Sequence, residues 1–187
     1  MHKDKELPKE GQIKQYPPKE TPTEQSTLPP GFYWENFDPM DDAQCDEICE
    51  FVMNHYVESS SGEFRLIYTK EKIRWAMCSP NHIKDLFYCV RDEKKKAIWG
   101  MIVGVPRQFM ICGKKQKMAE INFLCVHAKV REKRLAQIII SEMMRRCRIH
   151  KMPVQFYTSH HTKPTPFATN GYKLRFLNTQ TQPCWRG

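Results

Sequence analysis

The octet Glu-Ile-Asn-Phe-Leu-Cys-Val-His at residues 120–127 is followed, after a short link, by Arg-Glu-Lys-Arg-Leu-Ala at residues 131–136. An apolar extended run ends, a basic loop follows, and a helix begins. Unbonded backbone N–H groups at the helix start, the positive end of its dipole and the side chains of Arg131, Lys133 and Arg134 would converge on one point. A pyrophosphate fits such a point, and a merely solvated basic helix start is the alternative that spacing leaves open. The net charge of +9 admits nucleic acid, an anionic membrane surface or a polyphosphate such as coenzyme A as an acidic partner. For nucleic acid there is only that charge and scattered aromatics.

The elements that must position this segment can be read from periodicity. Residues 1–30 are rich in Pro, Lys, Glu, Thr and Gln and predict an extended arm that packs weakly, anchored by the aromatic cluster Phe32, Tyr33 and Trp34. Asp41 and Asp42 can cap a helix whose apolar positions Cys45, Ile48, Cys49, Phe51, Val52 and Tyr56 recur every three or four residues. Thr69 can cap a second, shorter helix through Ile73, Trp75 and Ala76. Extended runs follow at residues 86–91, 97–105, 108–112 and 118–127, with Pro106 read as a break and Gly113 as a turn. A long amphipathic helix is predicted over residues 134–149, its basic residues toward the C-terminal end where the dipole favours them, and further strands at 154–158 and 172–177. The basic clusters themselves read as solvated faces.

Helices, then antiparallel strands, then a strand feeding a long helix and a further strand predict one α/β domain with a mixed, mostly antiparallel sheet over residues 31–178, and a divergent tail at 179–187. No run is long and apolar enough for a signal peptide or a membrane span, so a cytoplasmic protein is expected. His2 follows Met1, so the chain is not itself an acceptor for N-terminal myristate. The eight cysteines contain no C-x-x-C pair and read as reduced core residues, and His160 with His161 has no ligand partner at useful spacing, so no metal is expected.

The residues themselves carry a resemblance. The octet with R-E-K-R-L-A is similar to the most characteristic segment of the glycylpeptide N-tetradecanoyltransferases, and T-L-P-P-G-F-Y-W at residues 27–34 resembles that family's T-L-P-x-G-F-x-W. Tyr56, Val57, Glu58, Phe64, Arg65, Tyr68, Trp75 and Ala76 fall at its intervals, as do Tyr157, Thr158, Pro164, Pro166, Tyr172, Arg175, Leu177 and Asn178. The match runs over residues 8–178.

The resemblance implies one half of a normally two-half protein with the acyl-CoA N-acyltransferase (GNAT-like) fold, transferring myristate from myristoyl-CoA to the amine of an N-terminal glycine. It implies backbone amides of Phe123 and Leu124 as an oxyanion hole, and a coenzyme A site along Phe123, Leu124, Cys125, Val126, Arg131, Lys133, Arg134, Leu135 and Ala136. It places the acceptor peptide near Tyr56, Phe64, Tyr68, Tyr157 and Thr158. Transfer is direct, with myristoyl-CoA as donor substrate and no permanent cofactor, and the base is the terminal carboxylate of a second half, making a partner chain or missing half a further expectation. The sequence departs from the family at Glu132, where a serine is usual, at Ser59, Ser60 and Ser61 in place of acidic residues, and at Leu66, His160 and Leu174. A non-catalytic acyl-CoA-binding module is therefore the second reading.

Overall fold

A computed structural model of the chain describes residues 22–56, 67–111, 113–159, 169 and 171. In chain order its elements are β1 (Phe32–Asn36), α1 (Asp42–His55), α2 (Lys70–Met77), β2 (Phe87–Asp92), β3 (Ile98–Ile111), β4 (Lys114–Val126), α3 (Leu135–Ile149) and β5 (Gln155–Tyr157). Single 3-10 turns stand at Lys84–Leu86 and Ala128–Val130. The strands form one five-stranded sheet in the order β1-β2-β3-β4-β5. Neighbours are antiparallel except β4 and β5, which run parallel because α3 carries the chain back between them. The expected strand at 172–177 and the positions of Phe64, His160 and His161 lie outside the described residues.

Both predicted helix caps form. The Asp41 carboxylate accepts the Gln44 amide at 2.9 Å, and the Thr69 hydroxyl accepts the Lys72 amide at 3.3 Å. α1 buries Cys45, Ile48, Cys49, Phe51 and Val52, the face its spacing predicts. α2 buries Ile73 and Met77 instead of the predicted Trp75, which is 81% exposed. Trp75 stands two positions after Ile73, more than half a helical turn away, so both cannot face the core.

Strand alternation then sorts the core into two layers. Phe87, Cys89, Met101, Val103 and Val105 point to α1 and α2, whereas Leu86, Tyr88, Val90 and Ile102 point to α3. On the α3 side of β3 stand two glycines. A Cβ at Gly100 would meet Ile139 Cδ1 at 2.6 Å, and one at Gly104 would meet Met143 Sδ at 3.0 Å. Their bare backbone lets α3 settle directly on the sheet.

Four sequence expectations are corrected. Phe32, Tyr33 and Trp34 are more than an anchor: they open β1, which pairs with β2 from Phe32↔Asp92 to Asn36↔Tyr88. Residues 97–105 and 108–112 are one strand, because Pro106 lies beyond the last β2 pairing, Phe87↔Val103, where β3 has β4 on one side only. A strand edge is where proline is tolerated. The described part of the arm packs firmly: the Ser26 amide donates to Glu142 at 3.0 Å, and Trp34 Nε1 donates to the Ser26 carbonyl at 2.9 Å.

The fourth correction concerns the basic clusters. Arg146 is buried, donating to Glu142 at 2.8 Å, to Asn36 at 2.8 Å and to the Asp85 carbonyl at 2.7 Å, with its guanidinium 4.1 Å over the Tyr88 ring. Arg145 holds the same Glu142 carboxylate with two further bonds, at 2.7 and 2.9 Å. Arg91, also buried, makes a bidentate pair with Glu47 at 2.5 and 2.7 Å and a further bond to Glu35. These three arginines lie in ion networks, whereas Lys94, Lys95, Lys96, Lys115, Lys117, Lys133 and Arg134 are exposed as expected of most of the basic residues, and the network around Arg146 ties the N-terminal segment, β1 and α3 together.

Candidate functional site

β3 and β4 pair in register from Ile111↔Lys114 to Val103↔Asn122, and again from Met101↔Cys125. Between these stretches Phe123 and Leu124 together oppose Ile102 alone, which is a β-bulge. Phe123 adopts φ +51°, a left-handed conformation uncommon for a bulky residue. The consequence is a slip in alternation: Ala119 packs on the α3 side, while Phe123 and Cys125 pack on the α1 and α2 side. On the other edge of β4 the pairing with β5 covers only Ala119, Glu120 and Ile121. The backbone of Phe123 and Leu124 therefore lies outside the regular register of both neighbouring strands.

Aromatic side chains hold this bulge. The rings of Tyr56, Tyr68 and Phe123 form a triangle with centroid separations of 5.4 Å (Tyr56 to Phe123), 5.7 Å (Tyr68 to Phe123) and 5.9 Å (Tyr56 to Tyr68). Burial raises the pKa of the Tyr56 phenol, against a smaller opposing effect of the nearby Phe123 backbone. Burial, with Tyr56 beside it, pushes the Tyr68 phenol up to about 12. Both phenols are neutral at physiological pH. Tyr157 pairs with Ile121 and is 64% exposed, so the register brings Tyr157 and the following Thr158 alongside the start of the bulge.

The loop after β4 supplies the second part of the site. Glu132 and Arg134 both take left-handed backbone, at φ +70° and +61°, with Lys133 between them. Two such positions cost about 1–2 kcal/mol each for non-glycine residues, and their alternation turns successive amides to one side. Arg134 is the N-cap of α3 without a side-chain cap bond, and among the described residues the amides of Arg134, Leu135 and Ala136 have no backbone acceptor. Such a start, at the positive end of a 15-residue helix, has the geometry of a candidate anion cradle.

Side chains around the loop divide their work. Lys133 is exposed beside the cradle, as is the carboxylate-bearing Glu132. Arg131 donates through Nη2 to the His55 carbonyl at 2.8 Å and so pins the loop to the C-terminal end of α1. The His127 ring lies between His55, 4.3 Å away, and Trp99, 4.7 Å away. His127 Nδ1 accepts the Lys129 amide at 3.2 Å. Burial, then the charges of Lys129 and Arg131, lower its pKa and favour the neutral ring. Neither the Arg131 anchor nor the stacking of His55 on His127 is visible from spacing, since the partners are about seventy residues apart in the chain.

Of the residues picked from sequence, the structure thus brings Tyr56, Tyr68, Phe123 and Leu124 to one end of the site, with Tyr157 and Thr158 at its edge. Arg134, Leu135 and Ala136 sit at the other end, joined to the first through Cys125 and Val126. Chemically, the arrangement can offer two backbone donors to an oxygen in the sheet and several more to a phosphate one loop away.

Comparisons with known proteins point the same way. The sequence profile described as myristoyl-CoA:protein N-myristoyltransferase, N-terminal domain, matches residues 12–170. The glycylpeptide N-tetradecanoyltransferase of Emericella nidulans is 36% identical over 168 residues, which is 90% of this chain and 34% of that protein. Glycylpeptide N-tetradecanoyltransferase 1 of Arabidopsis thaliana is 38% identical over 94% of this chain and 40% of its own length. Among solved structures, N-myristoyltransferase of Saccharomyces cerevisiae with bound myristoyl-CoA superposes with a TM-score of 0.79 at 31% identity, covering 87% of this chain and 39% of that one. The chain therefore spans between a third and two fifths of the length of these relatives.

Proposed function

We propose, from the premise that this chain belongs to the myristoyl-CoA:protein N-myristoyltransferase family and matches its N-terminal domain, that it binds myristoyl-CoA and presents the thioester to a glycine amine. The observation that carries the proposal is the pairing of two features along one stretch of backbone. The Phe123–Leu124 bulge takes two residues out of register inside the sheet, and the start of α3 leaves amides without backbone acceptors at the loop. Together they match a ligand with one reactive carbonyl and several phosphates.

In the reaction, the coenzyme A phosphates lie on the amides of Arg134, Leu135 and Ala136 beside Lys133, while Arg131 steadies the loop from behind. Cys125 and Val126 flank the arm between the two ends. The thioester oxygen receives the amides of Phe123 and Leu124. As the glycine nitrogen attacks the carbonyl carbon, the C–N bond forms and negative charge grows on that oxygen, so the donors bind the transition state more tightly than the ground state. Collapse breaks the C–S bond, and the proton lost by the amine ends on the departing thiolate, so coenzyme A leaves as the thiol. The peptide approaches along Tyr56, Tyr68, Tyr157 and Thr158.

Incubation with labelled myristoyl-CoA and a peptide beginning with glycine tests the reading. Acylated peptide is expected, and none from the same peptide with its amine blocked. Donor binding with no product would sink the transfer and leave a donor-binding domain.

Glu132 gives a second, independent test. Its exposed carboxylate flanks the cradle and repels the phosphates, so Glu132→Ser is expected to tighten coenzyme A binding about three- to tenfold in low salt. The gain should shrink as the Debye length falls toward about 3 Å at molar salt. Calorimetry at two salt concentrations measures it, and an unchanged affinity in low salt places the phosphates elsewhere.

A further inference from the structure

Both ends of the segment from His127 to Arg131 close on one residue, His55, at the C-terminal end of α1. The His127 ring stacks on the His55 ring with 4.3 Å between centroids, and Arg131 Nη2 donates to the His55 carbonyl at 2.8 Å. Between these contacts the chain makes the 3-10 turn Ala128–Val130, which leads into Glu132 and the start of α3. His127 fixes that turn in three ways. Its amide donates to the Trp99 carbonyl at 2.9 Å, its carbonyl accepts the Val130 amide at 3.0 Å, and its Nδ1 accepts the Lys129 amide at 3.2 Å. A backbone amide only donates, so Nδ1 carries a lone pair and the ring's single proton is on Nε2. A doubly protonated ring cannot make this bond.

The surroundings of the ring oppose that second proton. It lies against His55 from α1 and Trp99 from β3, and the charged groups of its own loop are Lys129 and Arg131. Asp92 of β2 stands beyond the Trp99 indole, accepting its Nε1 proton at 3.1 Å together with the amides of Lys94, Lys95 and Ala97. A cation at His127 would lose the Lys129 amide and stand beside Arg131, on the residue to which Arg131 is anchored. Burial and then the charges of Lys129 and Arg131 lower the His127 pKa in the same sense.

We propose that His127 is a positioning residue for the acyl-CoA donor: its neutral ring holds the phosphate loop in the binding shape, and protonation releases the loop and weakens the donor. The inference rests on the reading of the α3 start as the phosphate anchor. It adds that this anchor has an acid limit set by one side chain outside it. The direction is opposite to simple electrostatics, in which one more positive charge near a phosphate site tightens binding.

The test is the affinity of three proteins for the myristoyl thioester of 3′-dephospho-coenzyme A at about pH 7.5 and about pH 5, the range in which histidine changes charge. The full donor is avoided because its 3′-phosphate monoester itself titrates at about pH 6. Wild type should lose about three- to tenfold on acidification, the worth of one hydrogen bond. His127→Asn keeps an oxygen that can accept the amide two residues on and does not titrate, so its affinity should match wild type at the higher pH and stay flat. His127→Phe keeps an aromatic ring without the acceptor, and should bind about three- to tenfold more weakly at both pH values. In the ligand-free wild type the nitrogen-15 shift of the Lys129 amide should titrate together with the His127 ring.

Binding that tightens on acidification, or that falls equally in the asparagine variant, would overturn the proposal, the first by making His127 a plain positive charge for the phosphates. If wild type binds the donor at neither pH, the acyl-donor reading itself has failed and the inference falls with it. If wild type binds equally at both while the Lys129 amide titrates, the donor reading stands and only the inference falls.

Discussion

Arg146→Ala is expected to lower the free energy of unfolding by about 3–5 kcal/mol, read from the midpoint of a urea titration at unchanged slope. The magnitude follows from what the substitution leaves behind. Glu142 is fully buried, with 0% side-chain exposure, and Arg146 is one of the two guanidinium groups that pair with it. Loss of that partner leaves the buried carboxylate held by Arg145 and the Ser26 amide alone, and also frees the Asp85 carbonyl and the Asn36 amide oxygen. Glu142→Gln combined with Arg146→Met, which removes the charge from both positions and leaves Arg145 without its carboxylate, should recover part of the loss, because a buried charge short of its partners costs more than the absence of the pair. Failure of the double variant to recover would show that the geometry of the network, and not the stranded charge, carries the stability.

The same carboxylate sets an acid limit. Burial pushes the Glu142 pKa up, but bonds from Arg145, the Ser26 amide and Arg146 outweigh it and bring the group down from its ordinary 4.5 to about 2. A group lowered on folding contributes stability above its unfolded value, and loses that contribution as pH falls through its folded value. Stability should decline progressively below pH 4.5 and the contribution should be gone near pH 2. In Glu142→Gln this part of the pH profile should flatten.

Leu124→Pro is expected to slow myristoyl transfer about 10²–10³-fold, because it deletes one of two backbone donors to the developing oxyanion. Elsewhere in β4 a proline would also break a ladder bond, but Leu124 lies in the bulge, out of register with β3 and past the end of the β5 pairing. The fold should therefore survive, as a thermal scan would show. Leu124→Ala shortens the side chain and keeps the amide, so its rate should stay within about a factor of ten of wild type. A readout independent of turnover is the carbonyl stretch of bound carbon-13 thioester. It should shift to lower frequency in wild type and Leu124→Ala, and return toward its solution value in Leu124→Pro. Equal rates in the proline and alanine variants would remove the Leu124 amide from the mechanism.

The fold was largely legible because its signals are periodic. Asp41 and Thr69 stand where caps must stand, and the three- and four-residue recurrences in α1 and α3 predict the faces that pack. Trp75 misled because its bulk outweighed its phase relative to Ile73. Glu142 and Arg146 could have been found: they lie with Leu135, Ile139 and Met143 on one helical stripe, and charged residues four apart on an apolar stripe signal a buried pair. The short β1 and the continuity of β3 through Pro106 depend on which strands lie alongside, which no local window contains.

The shape of the candidate site was not legible in the sequence. The resemblance placed Phe123 and Leu124, yet nothing in their chemistry announces a left-handed phenylalanine. Glycine would have marked the bulge, as Gly113 marks the β3–β4 turn at φ +75°. The bulge is instead imposed by packing, through the Tyr56 and Tyr68 rings on one side and the α3 layer on the other. The same holds for Glu132 and Arg134, whose backbone is dictated by a loop held at His55 and Trp99.

Gly100 and Gly104 have a consequence that reaches beyond close packing. α3 rests on β3 where those two residues lack side chains, and the start of α3 is also the phosphate anchor proposed above. The height of the helix over the sheet therefore fixes the separation between that anchor and the bulge in β4. A methyl group at either glycine would act as a shim, lifting one end of the ligand relative to the other. The glycine pair is in effect a gauge block: it matches the spacing of two binding points to the length of the arm that must bridge them.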